Sequence, residues 1–423
     1  MNILLLGSGG RECALSWKLS QSPLCQQLFI APGNAGTAAY GTNVALGIND
    51  FEALKVFCLD NNIDILFPGS EEPLVNGVYD FFKNDILLQH IIVPGPSKEG
   101  AQLEGSKSFS KKLMARHNIP TAAYAEFDES NFEEGLKYLE QHATPIVLKA
   151  DGLAAGKGVV ITSDVNEAKE VFTDMIRNAQ FGEASKTVVV EQFLTGIELS
   201  VFAFTDGENY VLLPEAKDYK RVGEGDTGPN TGGMGAISPV PFANETFMQK
   251  VIDRVVAPTI NGLSAENIIY NGFIFFGLIN VGGDPFVIEY NCRMGDPETE
   301  VVMPRLENDL VEMVLKMNER KLDEVVVKHN PKAAATVMLV SAGYPADYEK
   351  GKAISGLEDV KDSMLFHAGT TENNGVKTAG GRVIAVTSYG ENIASAVQKS
   401  YQNAALIHFD GKSFRKDIGF EFI

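Results

Sequence analysis

Phe286-Val-Ile-Glu-Tyr-Asn-Cys-Arg-Met-Gly-Asp-Pro-Glu298 reads as a strand, a turn and the start of a helix. Val287, Ile288 and Tyr290 suit a pleated, half-buried surface, and the two-residue period of a strand puts Glu289 and Asn291 on one face. Two oxygen ligands about 7 Å apart along one strand can hold a single hard cation such as Mg²⁺. Arg293 follows within reach of that face, and its planar fork suits a carboxylate or a phosphate. Asp296 is expected to cap a helix that Pro297 opens, with Glu298 and Glu300 complementing its positive end. A solvated Glu and Asn beside a surface-paired Arg would give the same string, so the neighbouring segments decide.

The 423 residues are enough for roughly two to four domains, each with its own core. A net charge of −19 argues against coating nucleic acid or an anionic membrane. Any bound phosphate must then be met by local basic residues, backbone N–H groups and metal. Cys13, Cys25, Cys58 and Cys292 form no CxxC or CxxH pattern, so neither structural zinc nor a disulfide framework is expected. The N-terminus carries no basic leader, and the apolar stretch 268–281 is interrupted by Asn271, Gly272 and Asn280. These features predict a soluble, cytoplasmic chain with no membrane span.

Residues 1–100 alternate strand and helix signals. Strands are expected at 3–6, 27–31, 63–68 and 91–93, with helices through about residue 20 and over 51–61 and 72–83. That order means an open parallel sheet covered on both faces, with ligands at the carboxyl ends of its strands. Those ends are the Gly7-Ser-Gly-Gly-Arg-Glu12 turn, Pro32-Gly-Asn-Ala-Gly-Thr37 and Gly69-Ser-Glu-Glu72. A dinucleotide reading of the first turn fails, because Glu12 stands where the fingerprint needs its third glycine. A smaller phosphorylated ligand on the helix N-terminus passes this test, as does a glycine-rich turn with no ligand.

A new unit begins near Leu103, with Lys107, Lys111 and Lys112 on a helix reaching about residue 117. The strand at 145–149 carries Lys149 into Ala150-Asp-Gly-Leu-Ala-Ala-Gly-Lys-Gly158. Such small residues let backbone N–H groups approach a polyphosphate, and Lys157 adds charge from the loop. Only three residues separate Gly152 from Gly156, and Gly158 stands where a Walker loop has Ser or Thr, so this is a different phosphate loop. A strand follows at 159–162, a helix at 165–179 and another strand at 187–194. The end of that last strand resembles a hinge edge that hydrogen-bonds an adenine, with Glu198 placed for ribose hydroxyls, although Glu191 and Glu198 read equally as ordinary strand-end carboxylates. The long glycine-rich run 223–235 beside Lys217, Asp218, Lys220 and Arg221 suggests a lid or binding loop. Single helices are expected over 245–263 and 298–318, and the strand 272–280 should pair antiparallel with 286–291. The remainder, 325–423, shows strands near 334–340 and 382–387 and a helix over 392–405.

These pieces in this order resemble the ATP-grasp enzymes, and within them the phosphoribosylamine–glycine ligase family. The matching runs are GSGGRE at 7–12, APGNAGT at 31–37, LEGSK at 103–107, KADGLAAGKGV at 149–159, GPNTGGMGA at 228–236, GDPE at 295–298, FHAGT at 366–370 and TAGGRV at 378–383. They span essentially the whole chain. The resemblance implies an α/β ATP-grasp architecture in four parts. These are a parallel-sheet N-terminal domain over 1–102, a body over 103–122 and 193–324, a lid over 123–192 and a C-terminal domain over 325–423.

It also implies a reaction, in which ATP phosphorylates the glycine carboxylate and the amine of 5-phosphoribosylamine attacks the acyl phosphate. ATP is then a co-substrate and Mg²⁺ (or Mn²⁺) the cofactor, with Glu289 and Asn291 as metal ligands. The partners are small molecules, and a monomer is expected. Lys107 and Lys149 are expected on phosphate oxygens, with Gly152, Gly156, Lys157 and Gly158 folding over them. Glu191, Gln192, Phe193 and Leu194 should grip adenine. Arg293 should orient the carboxylate or acyl phosphate, and Asp218 should partner an amine, with Lys220, Arg221, Gly295 and Asp296 nearby. Gly9, Gly10, Asn34, Thr37 and Glu71 fall to the phosphoribosylamine side.

The chain departs from common family strings at four places: Cys13 in a GREHAL run, Lys217 and Tyr219 in a QDHKR run, Ser70 and Glu72 in a GPEAPL run, and Met294 in RFGDPE. Hydrogen bonds made by His at positions 13 and 219 are therefore not expected. Many ATP-grasp enzymes place an acidic metal ligand on the preceding strand, and 270–280 has none, so the resemblance leaves one or two metals open. Two rivals stay open on the residues alone: a ligase of this superfamily for another acid or amine, and a non-catalytic nucleotide-binding protein.

Overall fold

The computed structural model describes residues 1–153 and 158–423. Strands Asn2–Gly7, Gln27–Pro32, Thr42–Asn43 and Ile65–Pro68 form one parallel sheet, with Asn2–Gly7 between Gln27–Pro32 and Ile65–Pro68. Ile3 and Leu5 enter one apolar core while Leu4 and Leu6 enter another, so the strand is buried on both faces. That explains an unbroken apolar run where a half-buried strand would alternate. The expected strand at 91–93 is reduced to a single bridge, Ile65↔Ile92. The prolines that follow at 94 and 96 have no N–H with which to extend the pairing.

The lid segment is a separate antiparallel sheet, in the spatial order Tyr124–Asp128, Thr187–Gln192, Ile146–Ala150, Val159–Thr162. Helices Phe132–Gln141 and Val165–Ile176 back it, and Phe127, Phe132, Leu139 and Phe172 fill the space between. The body sheet is Tyr210–Leu212, Ile197–Thr205, Gly272–Val281 and Asp284–Asn291, antiparallel throughout. Its last two strands pair as the sequence predicts, joined by Gly282 and Gly283 with φ of 60° and 91°. Two consecutive left-handed residues are what a tight hairpin requires, and glycine adopts them at no steric cost.

A five-stranded sheet ties the end of the chain to the body. Lys217–Asp218 and Gly235–Ser238 pair alongside Ala333–Val340, Arg382–Gly390 and Met364–His367. Helix Ile393–Leu406 packs against it. Among the described residues no helix is long and apolar enough to cross a membrane.

Three helices expected as single rods are interrupted. The one at 72–83 is Glu71–Val75 and Val78–Asn84, divided at Gly77, whose φ is 92°. The one at 245–263 is Glu245–Val251, a π turn at Ile252–Val256 and Ala257–Ala265. The widened turn ends two residues before Pro258, which has no N–H for the α ladder. The one at 298–318 is Thr299–Arg305 and Leu310–Asn318. Leu306 leaves the first helix in extended conformation and bridges His329, and the Asp309 carboxylate caps the second on Val311 N at 2.8 Å. Part of the glycine-rich run 223–235 is also ordered, with Arg221–Gly223 and Thr227–Asn230 forming a small hairpin.

Candidate active site

The site is built around the hairpin strand Asp284–Asn291. Gly277 pairs with Glu289 while Leu278 pairs with Val287, so Ile288 is the extra residue of a bulge. Glu289 therefore emerges just after a kink, opposite a glycine whose missing Cβ would lie 3.0 Å from Glu289 Cγ. Burial pushes the Glu289 carboxyl up, but Lys220, Lys149, Lys107 and Arg293 outweigh it and hold it below the usual carboxylate range. It is thus an anion ringed by cations, with Lys220 Nζ 3.8 Å from its Oε1. Asn291, two residues on, is 8% exposed, and its amide makes no hydrogen bond among the described residues.

Each cation reaches the cluster from a different element. Lys107 is the first residue of helix Lys107–Arg116 and donates to Gly152 O at 3.2 Å. Burial lowers its pKa. Lys149 lies on strand Ile146–Ala150, ion-paired with Glu191 Oε2 at 3.0 Å and donating to Ile288 O at 3.3 Å. Lys220 donates to Glu198 Oε2 at 2.9 Å. Burial would lower its pKa, but Glu198, Asp218 and Glu289 raise it further than burial lowers it. Burial pushes Asp218 above the usual aspartate range, with Glu198 and Glu289 adding to the effect and Lys220 opposing it.

The phosphate loop is fastened at its start. The Asp151 carboxylate accepts from Ser108 N at 2.6 Å and Ser106 Oγ at 3.0 Å, pinning the lid strand to the N-terminus of helix Lys107–Arg116. Gly152 lies so close to Ala184 that a Cβ would stand 2.8 Å from its Cα, and Gly158 O accepts from Ala150 N at 2.8 Å. Gly156 and Lys157 lie outside the described residues.

Several side chains expected on ligands are engaged within the protein. Glu191, 3% exposed, is held between Lys149 and Lys111, whose Nζ stands 3.2 Å from Oε1 without hydrogen-bond alignment. Its carboxylate is therefore not free for adenine. Gln192 and Phe193 are exposed at the strand exit and Leu194 is half-buried, leaving that edge to backbone groups. Asn34 Oδ1 accepts from Gly36 N and Thr37 N, while its Nδ2 donates to Ser8 O at 2.8 Å and His367 O at 2.7 Å. Thr37 is fully buried, and its Oγ1 accepts from Asn34 N. These two shape the loop and offer a ligand backbone rather than side chain.

Gly9 N donates to Glu12 Oε2 at 2.6 Å. The Glu12 side chain also fills the space beside Gly7 and Gly69. Gly10 sits directly against the Glu300 carboxyl. Arg293 spends its fork on two carboxylates, Nη2 to Glu104 Oε1 at 2.6 Å and Nε to Glu71 Oε2 at 3.1 Å. Burial alone would raise Glu71, but Arg293 and Arg11 bring it down to about 2.

Asp296 and Pro297 do not open the helix as expected. The helix begins at Thr299, with Glu298 as N-cap, because the Asp296 carboxylate turns instead to Arg382 Nη1 at 3.0 Å. Gly295 packs on the Glu298 carboxyl. Arg221 turns to Gly228 O in the hairpin and does not join the cluster. Tyr219 points into the C-terminal core, donating to Glu421 Oε2 at 3.0 Å, and Cys13 is buried with its thiol pushed up to about 12. Sequence reasoning missed Glu104, Arg11 and Arg382 as site-shaping charges. The runs GSGGRE, LEGSK and TAGGRV contain these three residues, but nothing in the strings assigned them a charge partner.

Among the described residues no three His, Cys, Asp or Glu side chains gather as a metal cage. Glu289 and Asn291 nevertheless fit a hard divalent cation. One is an ionised carboxylate and the other an amide with no hydrogen bond among the described residues, and Mg²⁺ characteristically takes one or two protein oxygens and completes its shell with phosphate and water.

Comparison with known proteins establishes the family. Family models described as phosphoribosylglycinamide synthetase match over 1–104 (N domain), 105–299 (ATP-grasp domain) and 334–421 (C domain). The phosphoribosylamine–glycine ligase of Yersinia pestis is 47% identical over 430 residues, covering 100% of this chain and 99% of its own. That of Vibrio cholerae is 47% identical over 429 residues, with the same coverage. The crystal structure of phosphoribosylamine–glycine ligase from Thermotoga maritima superposes with a TM-score of 0.85 at 35% identity, covering 99% of this chain and 100% of that one. A biotin carboxylase from Campylobacter jejuni, at 16% identity and a TM-score of 0.72 over 99% of this chain and 94% of its own, shares the fold. The chain belongs to the phosphoribosylglycinamide synthetase (phosphoribosylamine–glycine ligase) family, with an ATP-grasp body.

Proposed function

We propose that this protein joins glycine to 5-phosphoribosylamine at the expense of ATP, through a glycyl phosphate, releasing glycinamide ribonucleotide, ADP and phosphate. The observation that carries the reading is the convergence of Lys107, Lys149 and Lys220 on Glu289, beside the amide of Asn291, which has no hydrogen bond among the described residues. Attack of a carboxylate on a γ-phosphoryl group needs positioning and charge neutralisation more than acid–base machinery, and this cluster supplies both.

Glu289 and Asn291 would hold the divalent cation, Mg²⁺ in this reading. When bound, the cation would supply charge neutralisation for the terminal phosphates. Lys107 and Lys149 bind phosphate oxygens, with the 152–158 loop above them. Adenine lies along the backbone edge at 191–194, with Glu198 near the ribose. As the glycine carboxylate oxygen bonds to the γ-phosphorus, the bond to ADP breaks. Arg293, fixed by Glu71 and Glu104, keeps a cation facing the acyl phosphate.

The amine then attacks the acyl carbon and phosphate departs. Asp218, raised by burial, is a stronger base than an ordinary aspartate and takes the amine proton. The lid over 123–192 closes on the body and excludes water from an intermediate that would otherwise hydrolyse. Phosphoribosylamine lies against the Gly9, Gly10, 33–37 and Asp296 surface. The protein acts as a monomer in the cytoplasm.

ADP release measured with a panel of amino acids and amines tests the assignment. Turnover is expected only with glycine and phosphoribosylamine together, and equal rates with another pair would replace the substrates named here.

A further inference from the structure

Lys111 is a buried cation that the mechanism above does not use. It is 1% exposed on helix Lys107–Arg116, and its Nζ donates to Thr121 Oγ1 at 2.7 Å. The same ammonium stands 3.2 Å from Glu191 Oε1 and 5.4 Å from the centre of the Tyr124 ring. These three contacts share a location. Thr121 and Tyr124 lie where the chain enters the lid sheet, and Glu191 lies where it leaves, with Tyr124 paired to Glu191 across the sheet. Thr121 Oγ1 in turn donates to Val287 O at 2.7 Å, on the strand that carries Glu289 and Asn291. One side chain of the body thus fastens both crossings into the lid.

Burying a charge is costly unless something requires it, and a neutral residue would pack here without that cost. The requirement lies in Glu191. Its Oε2 is 3.0 Å from Lys149 Nζ, so the two alone would present a neutral pair to the phosphates. With Lys111 on Oε1, the three groups sum to one positive charge, and Lys149 keeps its attraction for an anion. The same chain of contacts steadies the Lys149 side chain from behind, because Glu191 is bonded to Lys149 through Oε2 and ion-paired with Lys111 at Oε1.

We propose that Lys111 is a positioning residue for phosphoryl transfer. It holds Glu191, Glu191 aims Lys149, and the clasp keeps the lid hinge in register with the metal-bearing strand. This rests on the assignment of Lys149 to phosphate oxygens made above.

Lys111→Met keeps the length of the side chain and removes the charge. Its kcat for ADP release is expected to fall roughly 10- to 100-fold, the size of effect that a small misplacement of a reacting group produces. The KM for glycine should stay within about twofold and the thermal midpoint within a few degrees. Lys111→Arg, which restores the charge, should recover most of the rate. In a Glu191→Gln background the further loss from Lys111→Met should shrink to about twofold or less, because the chain is already broken. Should Lys111→Met not fold, Thr121→Val, which removes only the hydroxyl that seats Nζ, is expected to lower kcat about threefold.

A folded Lys111→Met enzyme with kcat within twofold of the parent would overturn the proposal. So would losses that simply multiply with those of Glu191→Gln. These are ratios between variants, so they stand for whichever acid and amine the parent enzyme turns over. A wrong substrate assignment would show in the parent's amino-acid panel instead.

Discussion

Glu289 and Glu300 are two carboxyl groups in opposite environments, the first part-exposed in the cleft and the second fully buried. Lys220, Lys149, Lys107 and Arg293 surround Glu289 and hold it below the usual carboxylate range, so in the proposed mechanism its charge stands where phosphoryl transfer develops charge. Glu289→Gln keeps the shape and removes the charge. It is expected to cut kcat by roughly 100-fold or more while leaving ADP affinity within a few fold, as removal of a preorganised electrostatic group does. Equal losses in both, measured by steady-state kinetics and calorimetry, would assign Glu289 to nucleotide binding alone.

Glu300 is fully buried, and neither of its oxygens has a hydrogen-bond partner among the described residues. Burial raises its pKa well above the usual range, Asp296 adds to that, and Arg382 only partly opposes it. The folded chain therefore keeps a proton that the unfolded chain gives up. Its contribution to stability is complete below the ordinary glutamate pKa and is lost as pH rises through the raised folded value. The slope approaches about 1.4 kcal/mol per pH unit in that window. Glu300→Gln cannot lose that proton. Thermal midpoints measured from pH 5 to 9 should fall less steeply in the variant than in the parent, and parallel curves would show that Glu300 titrates normally.

At the scale of elements, the hairpin Gly272–Val281 with Asp284–Asn291 is the part most exposed to a single change. Its bulge at Ile288 sets the strand face, and Gly277 leaves the space that Glu289 Cγ occupies. A branched side chain there must push on Glu289 or on the backbone beneath it. Gly277→Val is expected to weaken divalent-cation dependence, raising the Mg²⁺ concentration for half-maximal rate by about tenfold, as loss of ligand support typically does. An unchanged metal titration would mean that the bulge accommodates the methyl groups. Interrupted helices follow the same logic. Gly77, Pro258 and Asp309 each divide a run whose apolar periodicity continues across the break, because periodicity reports which face is buried and not whether the ladder of hydrogen bonds persists.

At the scale of the molecule, the C-terminal residues close the N-terminal loops. Asn34 donates to His367 O, and Arg382 Nη1 donates to Asp296 O at 2.8 Å while pairing with the Asp296 carboxylate. The FHAGT and TAGGR runs thus reach the proposed phosphoribosylamine side by holding other loops. Arg382→Met is expected to raise the KM for phosphoribosylamine about tenfold or more, with the KM for ATP within twofold, since it leaves the part-buried Asp296 carboxylate unpaired at the proposed docking surface. Equal shifts in both constants would point to a general loss of packing.

The sequence by itself determined the element types, the antiparallel hairpin, the acid–amide strand and the family. Those depend on short-range patterns: alternation along a strand, small residues in a loop, a lysine beside a glycine run. It did not show that Glu191 faces two lysines, that Arg293 is shared between Glu71 and Glu104, or that Asp296 turns to Arg382 across 86 positions of chain. Which charge meets which in a buried site is set by the packing of separate sheets. The desolvation of each group, and hence its protonation, exists only once those sheets have closed.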